Sequence, residues 1–131
     1  MFEVSERAHA GLQLMAALAV KQDERVSLKS LAEEIGISGA YLEEVAATLR
    51  KANLIEGRQG PGGGYRLIHH PEEITLEQIS TALEGKVALV ECQSSSLHCP
   101  HERTCRTKSI WSRLQRNIQT QLQSITLQDV L

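Results

Sequence analysis

The three cysteines of this chain lie close together, with two histidines between them. Cys92, Cys99 and Cys105 fall within fourteen positions of a 131-residue sequence, and His98 and His101 stand in the same stretch. Thiolates and imidazoles are ligands for zinc and for iron–sulfur clusters. An odd number of clustered cysteines in a reducing compartment indicates a metal or redox site rather than a disulfide framework. The stretch therefore predicts metal coordination or thiol chemistry.

The spacing leaves the kind of metal open. Structural zinc sites usually bring their cysteines as close pairs about two to four residues apart, whereas the gaps here are six and five residues. Iron–sulfur clusters are held by cysteine thiolates; a [2Fe-2S] cluster normally takes all its ligands from protein, whereas a [4Fe-4S] cluster can leave one iron open. A [2Fe-2S] site would need a further ligand, for which His98 and His101 are available.

Composition indicates helices around a modest core. The chain has four aromatic residues, and its other large apolar residues are mostly leucine, isoleucine and valine, which is typical of packed amphipathic helices. No apolar run approaches about 18 residues and no secretory signal pattern is present. The net charge of −2 gives no overall signature of nucleic-acid binding. We expect a mainly α, soluble cytoplasmic protein with no membrane partner.

The first half of the chain predicts three helices that include a helix-turn-helix. Residues 5–20 show helical spacing, with the predicted inward face Ala8, Leu12, Met15, Ala16 and Ala19. Ser27 is a predicted N-cap for a short helix over 28–35, which Gly36 ends. Ser38 is a predicted N-cap for a third helix that runs to about Ala52, with the inward face Leu42, Val45, Ala46 and Leu49. Two helices joined by so short a turn are typical of helix-turn-helix.

A glycine-rich segment after the third helix predicts a wing. Residues 54–68 have apolar residues on both sides of five glycines and a proline, which favours a β-hairpin with a flexible tip. A phosphate-binding loop would need a helix after the glycines and a Gly-Lys-Ser or Gly-Lys-Thr end, and neither is present. Helix-turn-helix followed by a hairpin is a winged helix.

The second half predicts two more helices around the cysteines. Thr75 and Gln78 form a capping-box pattern for a helix that Gly85 closes. The last helix, about 106–124, carries an apolar repeat close to seven residues, formed by Trp111, Leu114, Ile118, Leu122 and Ile125. This face predicts a homodimer; the alternative is that the helix folds back on its own domain. The predicted parts are a DNA-binding domain over 1–70, a connecting helix over 71–91, a cysteine loop over 92–105, and a dimerisation helix and tail over 106–131.

Three features together resemble one family of regulators. They are the run SGAYLEEVAATLRKANLIEGRQGPGGGYRL, the cysteine spacing C-x6-C-x5-C, and the tail IWSRLQRNIQTQLQSITLQDVL. The chain resembles the winged-helix regulators typified by IscR, which sense iron–sulfur clusters. The resemblance implies a dimeric bacterial transcription factor, a repressor, that binds a double-stranded DNA operator. It also implies that an iron–sulfur cluster, [2Fe-2S] or [4Fe-4S], is held by the three cysteines, and it implies no enzymatic activity.

The chain departs from that family at the position of the remaining cluster ligand. The IscR pattern has a histidine three residues after the last cysteine, where this chain has Lys108. The nitric-oxide-sensing relatives use an acidic residue near the N-terminus, where the match falls on Ala8. The fourth ligand is therefore left open among four candidates, the last two from the same chain or its partner: His98, His101, Glu6 and His9. Zinc binding or directly redox-active thiols stay the alternative to a cluster.

The resemblance also implies which residues contact DNA. The start of the third helix faces the major groove, and Glu43 matches a glutamate that restricts which sites are read; its alternative role is a favourable charge near a helix N-terminus. Relatives usually have arginine directly before the glycine-rich tip to enter the minor groove; here Gln59 holds that place and Arg58 precedes it. The predicted DNA-binding residues are Ser38, Gly39, Ala40, Tyr41, Glu43, Arg50, Arg58, Gln59, Gly60, Pro61, Gly62 and Gly63.

Overall fold

The first part of the chain forms a winged helix-turn-helix. A computed structural model describes residues 3–86, 88–89 and 106–131. The helices before the wing are α1 (Glu6–Val20), α2 (Leu28–Ile35) and α3 (Gly39–Lys51), and the wing is an antiparallel hairpin of β1 (Ile55–Arg58) and β2 (Gly64–Leu67). The predicted fold class, mainly α with a small β-hairpin wing, is confirmed.

The predicted helix boundaries are confirmed by their capping contacts. The Ser27 hydroxyl accepts a hydrogen bond from the Ser30 N–H at 3.1 Å, and the Ser38 hydroxyl accepts one from the Tyr41 N–H at 3.2 Å. Each satisfies a backbone donor that the first helical turn leaves without a partner. Gly36 ends α2 with φ +81°, a conformation that favours glycine. These contacts fix where α2 begins and ends and where α3 begins.

The wing is fastened to the domain by a third extended segment. Val26, just before α2, exchanges two backbone hydrogen bonds with Tyr65 of β2, at 2.9 and 2.8 Å. The hairpin register pairs Ile55 with Leu67 and Arg58 with Gly64. Because β2 has partners on both sides, the base of the wing moves with the helix-turn-helix.

The core surrounds α1, and its predicted inward face is only partly right. Met15 and Ala19 are buried as predicted, but Ala8, Leu12 and Ala16 are half-buried. The fully buried positions include three that the prediction missed: Ala10, Leu14 and Leu18. The reason is that α1 contacts α2, α3 and β2 and also the elements that follow the wing, so more than one stripe of the helix is covered.

The elements after the wing return to the same core. A short 3-10 turn (Pro71–Glu73) leads into α4 (Leu76–Glu84), whose predicted capping box is present in both directions. α5 (Lys108–Ser124) contacts α4 and is followed by a second 3-10 turn, Leu127–Val130. Leu127 is buried, and its N–H donates to the Ile74 carbonyl at 2.8 Å. None of the helices in the described part of the chain is long and apolar enough to cross a membrane.

Candidate functional site

The start of α3 is an exposed helix N-terminus on the surface of the domain. Ser38, Gly39, Ala40 and Glu43 are exposed, whereas Tyr41 is half-buried and packs against the core. The first helical turn presents backbone N–H groups and the positive end of the helix dipole, which suit a phosphate. Four of the predicted contact residues are thus accessible, and Tyr41 has the second role of holding the turn against the domain.

Glu43 lies too far along α3 to serve mainly as a favourable charge for the dipole. The first turn of α3 contains no acidic residue, and Glu43 follows it on the exposed side. The dipole effect falls off within the first turn. The position therefore weakens the alternative role considered for Glu43 and leaves its carboxylate available to a partner molecule.

The wing and the end of α3 enclose a small basic cleft. Arg50 lines a cavity of about 320 Å³ together with the wing residues Arg58, Gln59, Gly60 and Gly63. The structure thus brings together five of the predicted DNA-binding residues, four from the wing and Arg50 from the end of α3. Pro61 and Gly62 form the exposed tip beside this cleft and do not line it.

The tip of the wing is a tight turn that depends on Gly63. The Gly63 N–H donates to the Gly60 carbonyl at 2.9 Å. A Cβ atom at Gly63 would stand 2.3 Å from the Arg58 carbonyl oxygen and 2.8 Å from that of Gly60. Both neighbours are backbone atoms, so the turn would have to open. The glycine therefore fixes the direction in which Arg58 and Gln59 leave the strand.

An ion-pair cluster lies at the base of the wing. The Glu56 carboxylate on β1 accepts hydrogen bonds from Arg66 on β2 and, at 3.3 Å, from Arg25 in the loop before α2. The hydrogen bond from Arg66 lowers the pKa of Glu56, and the positive charges of Arg66 and Arg25 act in the same direction. The Nη1 atom of Arg25 is shielded from solvent and has no hydrogen-bond partner among the described residues. Glu56 is thus the charge that joins the wing to the helix-turn-helix.

The predicted cysteine ligands lie outside the described residues. Cys92, Cys99, Cys105, His98 and His101 all belong to this group. Across residues 3–86, 88–89 and 106–131, no group of three histidine, cysteine, aspartate or glutamate residues is placed to hold a metal ion. The metal site stays a prediction based on the donor types, which suit an iron–sulfur cluster or zinc.

A cleft is lined by residues that precede and follow the cysteine segment in the sequence. Its volume is about 620 Å³, and its walls come from the start of α1, the end of α4 with Lys86 and Leu89, and the α5 residue Trp111. Of the two N-terminal ligand candidates, neither Glu6 nor His9 lines this cleft, and both are exposed. The acidic residues that do line it are Glu3 and Glu84, and Glu84 accepts a 2.6 Å hydrogen bond from the Ser5 hydroxyl.

Sequence reasoning missed the charged network around Glu56. The contact between Glu56 and Arg66 could have been predicted from the sequence. A hairpin that folds symmetrically about Pro61 places these two residues opposite each other, which is the register observed. The contact of Arg25 could not, because it depends on how the loop before α2 meets the wing. Arg7 was also missed; its guanidinium on α1 donates to the Thr48 hydroxyl of α3 at 2.7 Å.

Comparisons with known proteins agree with this geometry. The family model Rrf2, described as an iron-dependent transcriptional regulator, matches residues 4–131. Protein rrf2 of Nitratidesulfovibrio vulgaris is 34% identical over 130 residues, which cover 98% of this chain and 87% of that protein. Among solved structures, CymR, the global cysteine regulator of B. subtilis, aligns with a TM-score of 0.80 at 34% identity, covering 99% of this chain and 96% of CymR. IscR of T. potens aligns with a TM-score of 0.78 at 37% identity, covering 98% and 85%.

Proposed function

We propose that this chain, which belongs to the Rrf2 family of transcriptional regulators, is a homodimeric cytoplasmic repressor controlled by an iron–sulfur cluster. Members of this family are transcriptional regulators and not enzymes. The observation that carries the proposal is the exposed start of α3 on the same domain as the basic cleft formed by Arg50 and the wing. A helix for one groove and a basic wing beside it are the parts that a reader of operator DNA needs.

The proposed DNA contacts divide into two kinds. The N-terminal turn of α3, capped by Ser38, enters the major groove and binds phosphate through its backbone amides. Arg58 and Gln59 approach the minor groove, where an arginine responds to groove width and A·T content. Arg50, which lines the cleft beside the wing, contacts the DNA backbone.

Glu43 is proposed to select among DNA sites. It is exposed on α3 and lies beyond the first turn, so its carboxylate faces the partner rather than neutralising the helix end. A carboxylate in the major groove accepts a hydrogen bond from cytosine N4 and is repelled by phosphate. Sites without a cytosine at that position are therefore disfavoured.

The homodimer is proposed to form through α5. Ile110 is 61% exposed, and the apolar face that contains Trp111, Leu114, Ile118 and Leu122 is only half-buried against the chain's own α4. An exposed apolar face on a helix favours association. Pairing two DNA-binding domains across such helices would fit an operator made of two half-sites.

The proposed cluster ligands are Cys92, Cys99 and Cys105. Three thiolates are a donor set that iron–sulfur clusters use, and a cluster supplies redox and ligand-exchange chemistry when bound. The fourth position is proposed to come from His98, His101, Glu6 or His9, or to stay open. Leu89 and Trp111, which lie before and after the cysteine segment in the sequence, line the cleft beside α1 and α4. A change in the segment is therefore proposed to act next to the DNA-binding domain.

A cluster-free regulator is the second candidate, favoured by the likeness to CymR. CymR is a cysteine regulator by its description and aligns with this chain as well as IscR does. In this alternative the three thiols bind zinc or are oxidised directly. It predicts protein with zinc or with no metal after isolation without oxygen.

The deciding experiment joins metal content to DNA binding. Protein purified without oxygen is assayed for iron, sulfide and zinc per chain and for visible absorption, and its targets are selected from a genomic DNA library. A triple Cys92→Ala, Cys99→Ala, Cys105→Ala variant should lose iron and sulfide and change its affinity for a selected site by about tenfold or more. The control variant replaces the serines of the same segment, Ser94, Ser95 and Ser96, with alanine and should behave as wild type. Colourless wild-type protein, or equal affinities, would refute the cluster control.

A further inference from the structure

The outer face of the wing carries three charged side chains in register. Side chains alternate along a strand, and paired residues point to the same face. Glu56 pairs with Arg66 and Arg58 pairs with Gly64, so Glu56, Arg58 and Arg66 share one face. The pair between them, Gly57 and Tyr65, points to the opposite face, where Tyr65 packs against the core. The charged face is therefore turned outward, next to the basic cleft.

Two of the arginines near this face are already engaged by one carboxylate. Both Arg25 and Arg66 donate to the same Glu56 oxygen atom. The side chain of Arg66 is 50% exposed and lies within reach of a ligand on the surface, whereas that of Arg25 is 21% exposed and has one guanidinium nitrogen shielded from solvent. No acidic side chain is paired with Arg58 among the ion pairs of the described residues. Arg58 is thus uncompensated, whereas Arg66 of the wing and Arg25 of the loop before α2 share the one negative charge of Glu56.

We propose that Glu56 limits the electrostatic contact of the wing with DNA by holding Arg25 and Arg66 away from the phosphate backbone. This inference rests on the proposed DNA binding and adds a residue that sets its strength and salt dependence. Each phosphate neutralised by a lysine or arginine releases counterions and steepens the fall of affinity with salt. Arginines held by a carboxylate release fewer counterions, because the carboxylate already balances part of their charge. Glu56 therefore weakens the charge-driven binding that occurs at any DNA sequence, and sequence-dependent contacts make up a larger share of the affinity.

The test measures how the affinity of the protein for DNA of mixed sequence depends on salt concentration. A fluorescein-labelled duplex of mixed sequence, long enough for one dimer, is titrated with protein at several salt concentrations. Glu56→Gln should bind more tightly at low salt, with a plot of log affinity against log salt steeper by about 1 than wild type, because the one negative charge that Arg25 and Arg66 share is removed and each unbalanced positive charge adds about 0.9. Adding Arg66→Gln to that variant should return the slope close to that of wild type.

A matched control separates this role from a simple change of net charge. Glu72 is exposed on the 3-10 turn before α4 and is not among the ion-paired residues. Glu72→Gln makes the same charge change and should leave the slope within error of wild type. Thermal unfolding of each variant shows whether the wing domain remains folded.

The outcomes distinguish the inference from the function on which it rests. Equal slopes for Glu56→Gln and Glu72→Gln would overturn the inference. A shallower slope with weaker binding would also overturn it, because Glu56 would then serve only to fasten the wing. If Glu56→Gln unfolds, Arg66→Gln in the wild-type background is measured instead. Its slope should stay close to that of wild type, because an arginine that Glu56 holds away from DNA can be removed with little effect on the slope. Wild-type protein that binds no DNA at all would refute the proposed function instead.

Discussion

α3 and α5 both carry an apolar face, but only α3 uses that face inside the domain. Leu42, Val45, Ala46 and Leu49 of α3 are fully buried. α5 is longer, yet none of its residues, all of which the structure describes, is buried to that degree. The position of the recognition helix is therefore fixed by the chain's own core. The apolar face of α5 is left partly exposed by the chain's own core, and this exposed face is the one through which the proposed homodimer would form.

The largest effect is expected from truncating the α3 face. Leu49→Ala should lower the free energy of unfolding by about 2–5 kcal/mol, because it leaves a cavity in a packed core. Urea unfolding followed by circular dichroism measures the loss. Val20→Ala, at an exposed position of α1, is the matched control and should cost less than about 0.5 kcal/mol. Similar losses for both variants would contradict the tight packing of α3.

On α5 the corresponding change should act on assembly and not on the fold. Ile110→Glu sets a charge on the exposed apolar face, where association would bury it, so the dimer should dissociate with an equilibrium constant raised about 100-fold or more. Size-exclusion chromatography with light scattering measures the mass against concentration. Asn117→Glu, at an exposed polar position of the same helix, should stay dimeric. A dimer that survives Ile110→Glu would show that this face is not the interface.

The two roles of the α3 terminus can be separated by comparing two caps. Ser38→Ala and Thr75→Ala each remove one capping hydrogen bond and should each lower the stability by about 1 kcal/mol. Only Ser38→Ala should also weaken DNA binding, because Thr75 caps α4, which carries none of the proposed DNA contacts. Thermal unfolding and fluorescence anisotropy on one labelled duplex measure both effects. Equal losses of affinity would mean that the caps act only through stability.

The smallest effect concerns the wing, which is held to the rest of the domain partly by the ion pairs of Glu56. Because the folded-state pKa of Glu56 is lowered, its ion pairs stabilise the protein above the unfolded-state pKa, near 4.5, and this contribution is lost as the pH falls through the folded-state value. The stability difference between wild type and Glu56→Gln should therefore be present at pH 6 and vanish toward pH 3. Thermal melts across that range measure it, and a difference that grows at low pH would contradict the ion-pair assignment.

Local signals explain why much of the domain could be predicted from the sequence. The caps Ser27, Ser38 and Thr75, the stop at Gly36 and the inward face of α3 depend on residues a few positions apart, and all were confirmed. The α1 face was partly wrong because several distant elements cover that helix. A periodic pattern identifies the most apolar stripe but does not count the neighbours that the fold supplies.

Contacts between distant segments explain what could not be predicted. Arg25 meets Glu56 only because Val26 pairs with β2, and no local pattern announces that pairing. The cysteine segment is the opposite case, since its residue types predict coordination chemistry while its geometry lies outside the described residues. For the proposed cluster site, the residue types therefore predict the kind of chemistry, whereas the fourth ligand has to be identified by experiment.

The return of Leu127 to the core has a consequence for how the protein is made. Its backbone pairing with Ile74 and its buried side chain complete a core whose other members are synthesised before the cysteine segment and α5. On the ribosome, Leu127 therefore joins this core only after the cysteine segment and α5 have emerged. A chain that stops before Leu127 lacks one apolar member of the core, and we expect it to be less stable than the whole chain.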